Sequence, residues 1–374
     1  MSIRDKTKNC NIKLKNIAVF LFVVLLSSCG LTKFDESAKY KIKYLDEFIL
    51  ENNLSFNTHE IGGLSGIDFN GNDYVVISDK SKKPELYSVN INIENDNIHS
   101  IEFNNRIILK CNSVEIFDAE SIRFLPNSDY LVSTEGSINS HQNPEILHIN
   151  SNGECTKNYS LPSHFQLNSF NKPRHNGVFE GLTVNSTSDG FWVINEIPLK
   201  EDGKKPKLIN THSPVRLSHY NLNESQPNFQ FSYDLERLIK IPLLPFAING
   251  ATEILQLDSN HILVLERSYS AGHKTNGNRV KLFLINLKEV KNTLEINSLK
   301  RSKEFAVDKI LVFDSKKIKN ELKYNLIDNI EGLTFGPELK NGNKSLILMS
   351  DNNFSSLGKQ FNQFILLELI NTNY

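Results

Sequence analysis

Five times along the chain an apolar segment opens at an acidic or Gly-rich corner, and a second apolar segment follows that ends on an acid. The pairs are Gly62-Gly63-Leu64-Ser65 with Ile77-Ser78-Asp79, and Ala119-Glu120-Ser121-Ile122 with Ser133-Thr134-Glu135. Then come Glu180-Gly181-Leu182-Thr183 with Ile194-Asn195-Glu196, Thr252-Glu253-Ile254-Leu255 with Leu265-Glu266-Arg267, and Glu331-Gly332-Leu333-Thr334 with Met349-Ser350-Asp351. From Gly62 through Glu120, Glu180, Glu253 and Glu331 the steps are 58, 60, 73 and 78 residues, the spacing of four-stranded blades rather than of helical repeats. Radial strands that start and end on acids gather those carboxylates around one axis, so the repeat constrains architecture and chemistry together.

Clusters of Gly, Ser, Asn and Asp punctuate the apolar segments throughout, which is the signature of strands and turns. If each recurring pair supplies the two inner strands of a blade, two more strands follow it. They are Glu85 to Ile91 with His99 to Leu109, Glu145 to Asn150 with Thr156 to Leu161, Val215 to Leu222 with Asn228 to Leu235, and Val280 to Leu287 with Lys309 to Phe313. The fifth blade has one further strand, Gln363 to Leu369, and the stretch Lys41 to Phe56 can supply the other. Closing the ring with strands from both ends is how propellers hide their edges. The expected fold is therefore all-β, a single β-propeller over residues 41–374 with five blades, the long inserts leaving room for a sixth. Asp234 to Ile239 and Ser315 to Leu322 are the expected short helices. The inserts Pro198 to Pro214 and Ser268 to Arg279 should overhang one face of the ring, where loops tend to carry function.

The first residues read differently. Arg4, Lys6, Lys8, Lys13 and Lys15 precede an unbroken apolar run from Ile17 to Leu26, and Leu26-Ser27-Ser28-Cys29 then matches a bacterial lipobox. That run is half of the roughly 20 residues a membrane span needs, and a charged start, a short apolar stretch and small residues describe a secretory signal. Residues 1–28 are expected to be a lipoprotein signal peptide, and residues 29–40 a lipidated Cys29 with its tether. The domain would then be exported and lipid-anchored to a membrane of the bacterial cell envelope. Without residues 1–28 the net charge moves from −1 to about −5, and no basic cluster remains to suggest a nucleic-acid partner. Cys111 and Cys155 could be oxidised in an exported protein, but neither sits in a disulfide-dependent, loop-rich region, and buried free thiols are the favoured reading.

The corner motifs also resemble those of the phytase-like propeller family, known as the esterase-like activity of phytase family. The resemblance runs over residues 58 to 370. It is carried by Gly63-Leu64-Ser65-Gly66-Ile67, Phe117-Asp118-Ala119-Glu120-Ser121-Ile122, Phe179-Glu180-Gly181-Leu182-Thr183 and Leu263-Val264-Leu265-Glu266-Arg267. It is strongest at Asp328-Asn329-Ile330-Glu331-Gly332-Leu333-Thr334-Phe335-Gly336-Pro337 and at Leu348-Met349-Ser350-Asp351-Asn352-Asn353-Phe354. The family label implies a phosphoesterase-like activity by analogy to calcium-dependent propeller phytases. Two positions depart from the pattern: Gly62 stands where other repeats carry Glu, and Ser121 where Gly is usual.

Glu120, Glu180, Glu253 and Glu331 are expected to start inner strands, with Asp79, Glu135, Glu196, Glu266 and Asp351 ending their neighbours, so that both sets meet at one end of the channel. Nine carboxylates in a tunnel raise one another's pKa unless cations compensate. Hard oxygen ligands at this density suit Ca²⁺, whereas paired His or Cys at zinc spacing are missing from the sequence after Cys29. The structural alternative is that each recurring Glu bonds backbone N–H groups and locks the ring. Residues that do not repeat are better catalytic candidates: Arg174 and His175 before Glu180, and Arg267 after Glu266, would contact phosphate. Lys80 and Arg123 are further cations of this kind. A Ca²⁺-dependent hydrolase acting on a small-molecule phosphoester or polyanion is the first expectation, with the protein a monomer. A non-catalytic binding propeller, with Trp192, Tyr269 and Phe354 near its mouth, and a lactonase-like metal hydrolase are the alternatives. No Gly-x-Ser-x-Gly elbow and no phosphate-cradling P-loop occurs in the chain.

Overall fold

The computed structural model describes Phe34 and residues 37–50, 54–80, 82–111, 117–209, 211–353 and 360–372. The signal segment, Cys29 and Phe354 lie outside the described residues. Two strands precede the first blade as a small hairpin, β2 (Ser55–Phe56) with β3 (His59–Glu60), and they follow a long strand β1 (Tyr40–Leu50). Blade one is β4 (Leu64–Phe69), β5 (Tyr74–Ser78), β6 (Glu85–Glu94) and β7 (Asn97–Ile108); blade two is β8 (Ala119–Phe124), β9 (Tyr130–Thr134), β10 (Glu145–Ile149) and β11 (Cys155–Asn158). Blade three is β12 (Phe179–Val184), β13 (Gly190–Asn195), β14 (Pro214–Asn221) and β15 (Pro227–Asp234). Blade four is β16 (Ala247–Asp258), β17 (His261–Ser270), β18 (Asn278–Asn286) and β19 (Lys309–Asp314). Blade five joins β20 (Asn329–Glu338), β21 (Lys344–Asp351) and β22 (Asn362–Asn371) to β1, which pairs with β22 from Tyr40–Asn371 to Leu50–Asn362.

The ring is therefore a five-blade propeller closed by its N-terminal strand. Both faces of the middle strands are buried, which is why their sequences run continuously apolar rather than alternating. In β5, Val75 and Ile77 pack toward blade two while Tyr74 and Val76 pack toward blade five. Equivalent clusters fill the other blade interfaces; Leu263 and Leu265 meet Leu333 and Leu348, for example, between blades four and five. Among the described residues no helix is long and apolar enough to cross a membrane.

Two local expectations fail. Asp234 to Ile239 leaves β15 as irregular chain, and Ser315 to Leu322 forms isolated turns, with Lys317 N–H on Asp314 O and Glu321 N–H on Ile318 O. Runs of six to eight residues are too short to repay helix nucleation without a packed face. Cys111 and Cys155, expected as free thiols, instead form a disulfide, because the register brings their Cα atoms 5.0 Å apart. It joins the segment after β7 to β11, beside a parallel bridge of Lys110 to Glu154, and so staples the outer edges of blades one and two.

Each inner strand (β4, β8, β12, β16, β20) is the edge of its sheet and faces its neighbours around the axis. Edge strands carry carbonyls with no ladder partner, and here a single side chain satisfies one on each inner strand. The fully buried Arg123 donates from Nε to Leu182 O (2.8 Å), from Nη1 to Ile67 O (2.7 Å) and Ile122 O (2.9 Å), and from Nη2 to Ile254 O (3.1 Å) and Leu333 O (3.2 Å). One acceptor comes from each blade. Glu253 closes the same plug, 2.9 Å from Arg123 Nη2, and accepts from Ser121 Oγ (2.8 Å) and Leu182 N–H (2.9 Å). The channel has a floor.

Candidate metal centre

The strand register decides which acids share the mouth above that floor. Each inner strand carries a bulge at its start, between Leu64 and Gly66, Ala119 and Ser121, Phe179 and Leu182, Ala251 and Glu253, and Ile330 and Gly332. The bulged positions are Ser65, Glu120, Glu180, Thr252 and Glu331. One residue deeper stand Gly66, Ser121, Gly181, Glu253 and Gly332, at a neck where strands nearly touch. A Cβ on Gly66 would lie 2.8 Å from Ser121 Cα, and one on Gly181 2.7 Å from Glu253 Cα. Only a glycine clears either contact, and Glu253 fits because its carboxylate turns into the plug.

The second set of corners follows the partner strands. Asp79 N–H bonds Gly63 O, Glu135 N–H bonds Asp118 O and Glu196 N–H bonds Val178 O, while Arg267 pairs with Gly250 and Asp351 with Asn329. Blade four thus presents Arg267, and not Glu266, at the position where its neighbours present acids. Among the described residues the mouth gathers Asp79, Asp118, Glu120, Glu135, Glu180, Glu196, Glu331 and Asp351 around this one guanidinium. Arg267 Nη1 lies 2.9 Å from Glu331 Oε1 and also reaches Asn329 Oδ1, and its Nη2 lies 3.6 Å from Glu196 Oε1.

Glu253 and Glu266, both expected among the ligands, do not join the cluster. A β-strand alternates faces at every residue, so Glu266 points away from Arg267 and into the body of the blade. There it accepts from Tyr233 Oη (2.6 Å), Asn249 Nδ2 (2.6 Å), Glu236 N–H (2.9 Å) and Lys309 Nζ (2.6 Å). Arg174 is turned away too: its Nε donates to Pro198 O (2.8 Å) and its Nη2 to Gly203 O (3.1 Å), pinning the Pro198–Pro214 insert. Lys80 pairs with Glu85 at 2.8 Å, and Trp192 is buried between blades three and four against Phe231. His175 is exposed, and burial raises the Asp118 pKa with a partial offset from the nearby His175. The structure adds Asp118, which the sequence reading left out; its signal was Asp118-Ala119-Glu120, two acids one alternation apart at a strand start.

Buried like charges shape the site's electrostatics. Burial first, and then the neighbouring carboxylates, raise Glu120, Glu180 and Asp351 well above the ordinary range. Burial and Glu196 lift Glu135 to about 8, and burial with Glu331 and Asp118 lifts Asp79 to about 7. Burial also raises Glu196 and Glu331, partly offset by Arg267. Burial disfavours the Arg267 charge, yet Glu331, Glu196 and Glu180 hold its pKa above the usual value.

The oxygens of these acids are poorly committed. Glu135 accepts from Gly177 and Val178 N–H groups, and Asp351 from Asn353 N–H. Asp79 Oδ1, by contrast, is buried with no hydrogen-bond partner among the described residues. Asp118, Glu120 and Glu135 each place a carboxylate oxygen within 4.8 Å of the other two. Several hard oxygens converging on one point, short of donors, fit Ca²⁺, which takes six to eight of them. The donor set contains no Cys, and His175 stands outside the group, which leaves nothing to favour a softer metal.

Comparison with known proteins bears on the fold and the family. A profile described as "Phytase-like: Esterase-like activity of phytase" matches residues 59–354. No curated protein matches the chain by sequence. Among solved structures, similar ones include an endo-arabinase from Bacteroides thetaiotaomicron, at 9% identity and a TM-score of 0.44 over 84% of this chain and 96% of that one. A GH130-family structure, described for glycoside hydrolases that target β-1,2 mannosidic linkages in Candida mannan, aligns at 8% identity and a TM-score of 0.43 over 92% and 97%. The PQQ-bound aldose sugar dehydrogenase of Streptomyces coelicolor aligns at 10% and 0.36 over 89% and 99%.

Proposed function

Because the chain belongs to the phytase-like family whose label names an esterase-like activity, we propose that it is a Ca²⁺-dependent hydrolase of a phosphoester or related polyanion. The observation that carries this reading is the crowding of eight carboxylates around Arg267 at a mouth that has a closed floor. Asp118, Glu120 and Glu135 would hold a first cation, with Asp79, Glu180, Glu196, Glu331 and Asp351 completing the charge around it. Bound cations would supply Lewis acidity toward phosphoryl oxygens and reverse the sign of the mouth toward an anion. Arg267 would offer its guanidinium to a non-bridging phosphate oxygen, a role for which its planar fork is suited. His175, exposed beside Asp118, would meet an incoming phosphate from the rim. Glu253 and Arg123 would keep the far end of the channel shut, so that water reaches the bound ester from the mouth alone. The same reading keeps the chain exported and anchored in the cell envelope through Cys29.

The test uses the full chain stripped with EDTA, then titrated with CaCl₂, with melting temperature and phosphate release from phytate and 4-nitrophenyl phosphate as readouts. Calcium-dependent stabilisation together with turnover that Glu120→Gln abolishes is the expected result. Stabilisation without turnover on any phosphoester would replace the hydrolase by a binding propeller or a lactonase-like enzyme. Absence of any calcium effect would overturn the metal centre itself.

A further inference from the structure

Blade four departs from its neighbours at the mouth. β16 and β17 stay paired for three rungs beyond Gly250–Arg267, through Asn249–Ser268, Ile248–Tyr269 and Ala247–Ser270. In blades one to three the inner pair ends at Leu64–Ser78, Ala119–Thr134 and Phe179–Asn195, below the equivalent rung. At about 3.3 Å per residue the hairpin stands roughly 10 Å above the acids, as a fin. Side chains alternate along it, so Tyr269 shares the face of Arg267, one period of about 7 Å farther out. Ile248 lies directly opposite Tyr269, on the same face. Phe246 extends the ledge, its ring 6.0 Å from that of Tyr269.

This surface is apolar, exposed and firmly held. Phe246, Leu244, Leu243 and Ile241 are 56, 59, 68 and 69% exposed, and clustered apolar side chains of that kind mark a binding surface more often than chance placement does. Leu243 N–H donates to Ala271 O and Ala271 N–H to Phe246 O, both at 2.9 Å, while the His273 ring nitrogen lies 2.8 Å from Ile241 O. Pro242 and Pro245 fix φ at two of the intervening positions. An apolar segment tied down through its backbone, with its side chains left outside, is organised in advance for an apolar ligand.

We infer that the fin is the ledge for the apolar arm of an amphiphilic ligand whose anionic head meets Arg267 and the acidic mouth. The ligand class is then a long-chain or aryl phosphoester rather than a uniformly polar polyphosphate. Continuity carries the argument: Arg267 and Tyr269 are successive residues on one face of β17, so one ligand can span the charged and the apolar parts. The seat of the anionic head rests on the calcium-loaded mouth of the hydrolase reading, but the apolar ledge does not rest on turnover.

Isothermal titration of the calcium-loaded full chain with methylphosphonate and octylphosphonate separates the two, because neither phosphonate can be turned over as an ester. Octylphosphonate should bind at least tenfold tighter, and Phe246→Ser with Tyr269→Ser should bring that ratio close to one. Phe246→Ser alone, at an exposed position, should lower the ratio severalfold without a folding defect. Hydrolysis of 4-nitrophenyl phosphate without any chain-length preference would overturn the ledge and leave the hydrolase standing. A chain-length preference without turnover of any phosphoester would support the ledge and remove the hydrolase. Fin-dependent binding to phosphatidylglycerol vesicles, with equal affinity for both phosphonates, would overturn the assignment in favour of a membrane-docking surface.

Discussion

Replacing Arg123 by Met should come close to unfolding the protein, although the residue is remote from solvent and touches no ligand in the reading above. The substitution keeps an unbranched chain in the channel and removes every donor. Five carbonyls, one per blade, lose their only side-chain partner, and each buried orphan costs about 1–3 kcal/mol. Glu253, fully buried and with its pKa already lifted to about 7 by burial against the pull of Arg123, loses its counter-charge. Removing one member of such a pair costs about 3–5 kcal/mol on its own. The terms overlap, so about 5 kcal/mol is a floor, against the 5–15 kcal/mol that typically holds a domain together. Equilibrium guanidinium unfolding of the full chain can be followed through Trp192, the single tryptophan, which is buried between blades three and four. Arg123→Met should shift the transition to far lower denaturant, and Arg123→Lys, with three donors for five acceptors, should recover less than half of the loss. A variant Arg123→Met within about 1 kcal/mol of the parent would refute the plug as a source of stability.

Three further outcomes follow from the mouth and from the blade edges. In metal-free protein, Asp79 and Glu135 keep their protons to about pH 7 and about pH 8, whereas ordinary carboxyls lose theirs near pH 4. The native state therefore binds more protons between those limits, and stability must fall as pH rises through that window; EDTA-treated protein should melt at a lower temperature at pH 8 than at pH 5, and a flat profile would contradict the site's electrostatics. Glu120→Gln should stabilise the metal-free chain at pH 8 by relieving repulsion while weakening Ca²⁺ binding by at least tenfold, as calorimetry would show; Glu266→Gln, which weakens the Lys309 contact instead, should destabilise the chain and leave Ca²⁺ affinity alone. Cys111→Ser should lower stability by about 4 kcal/mol, the chain-entropy value for a separation of 44 residues, measured by denaturant unfolding, and an unchanged midpoint would mean that the bridge constrains little.

Most of the architecture was legible because a propeller repeats its punctuation. The four-strand order within each blade and the closure by β1 follow from corner motifs and apolar run lengths that local chemistry fixes. The site was legible only to within one residue. A β-bulge inserts a residue into each inner strand, and a one-residue slip turns a side chain to the opposite face. The recurring glutamates therefore suggest Glu253 for the position that Thr252 holds and Glu266 for the one that Arg267 holds. The hint was in the triplets: Glu120, Glu180 and Glu331 precede the small neck residues Ser121, Gly181 and Gly332, whereas Glu253 is followed by Ile254 and occupies the neck itself. Arg174 and Trp192 misled for another reason. Arg174 pins an insert that has no counterpart in the repeat, Trp192 fills a blade interface like those between the other blades, and residue type alone carries no direction.

The floor of the channel also limits how this chain can change over evolutionary time. A guanidinium has five N–H groups, and Arg123 divides them among one carbonyl from each of the five blades and the Glu253 carboxylate, which shares Nη2. Duplicating or deleting a blade, the usual way for repeat folds to grow or shrink, would leave either a carbonyl or an N–H without its partner in the buried floor of the channel. Descendants of this sequence can lengthen loops, extend hairpins as blade four has done, or exchange acids at the mouth. They cannot change the number of blades without first replacing Arg123.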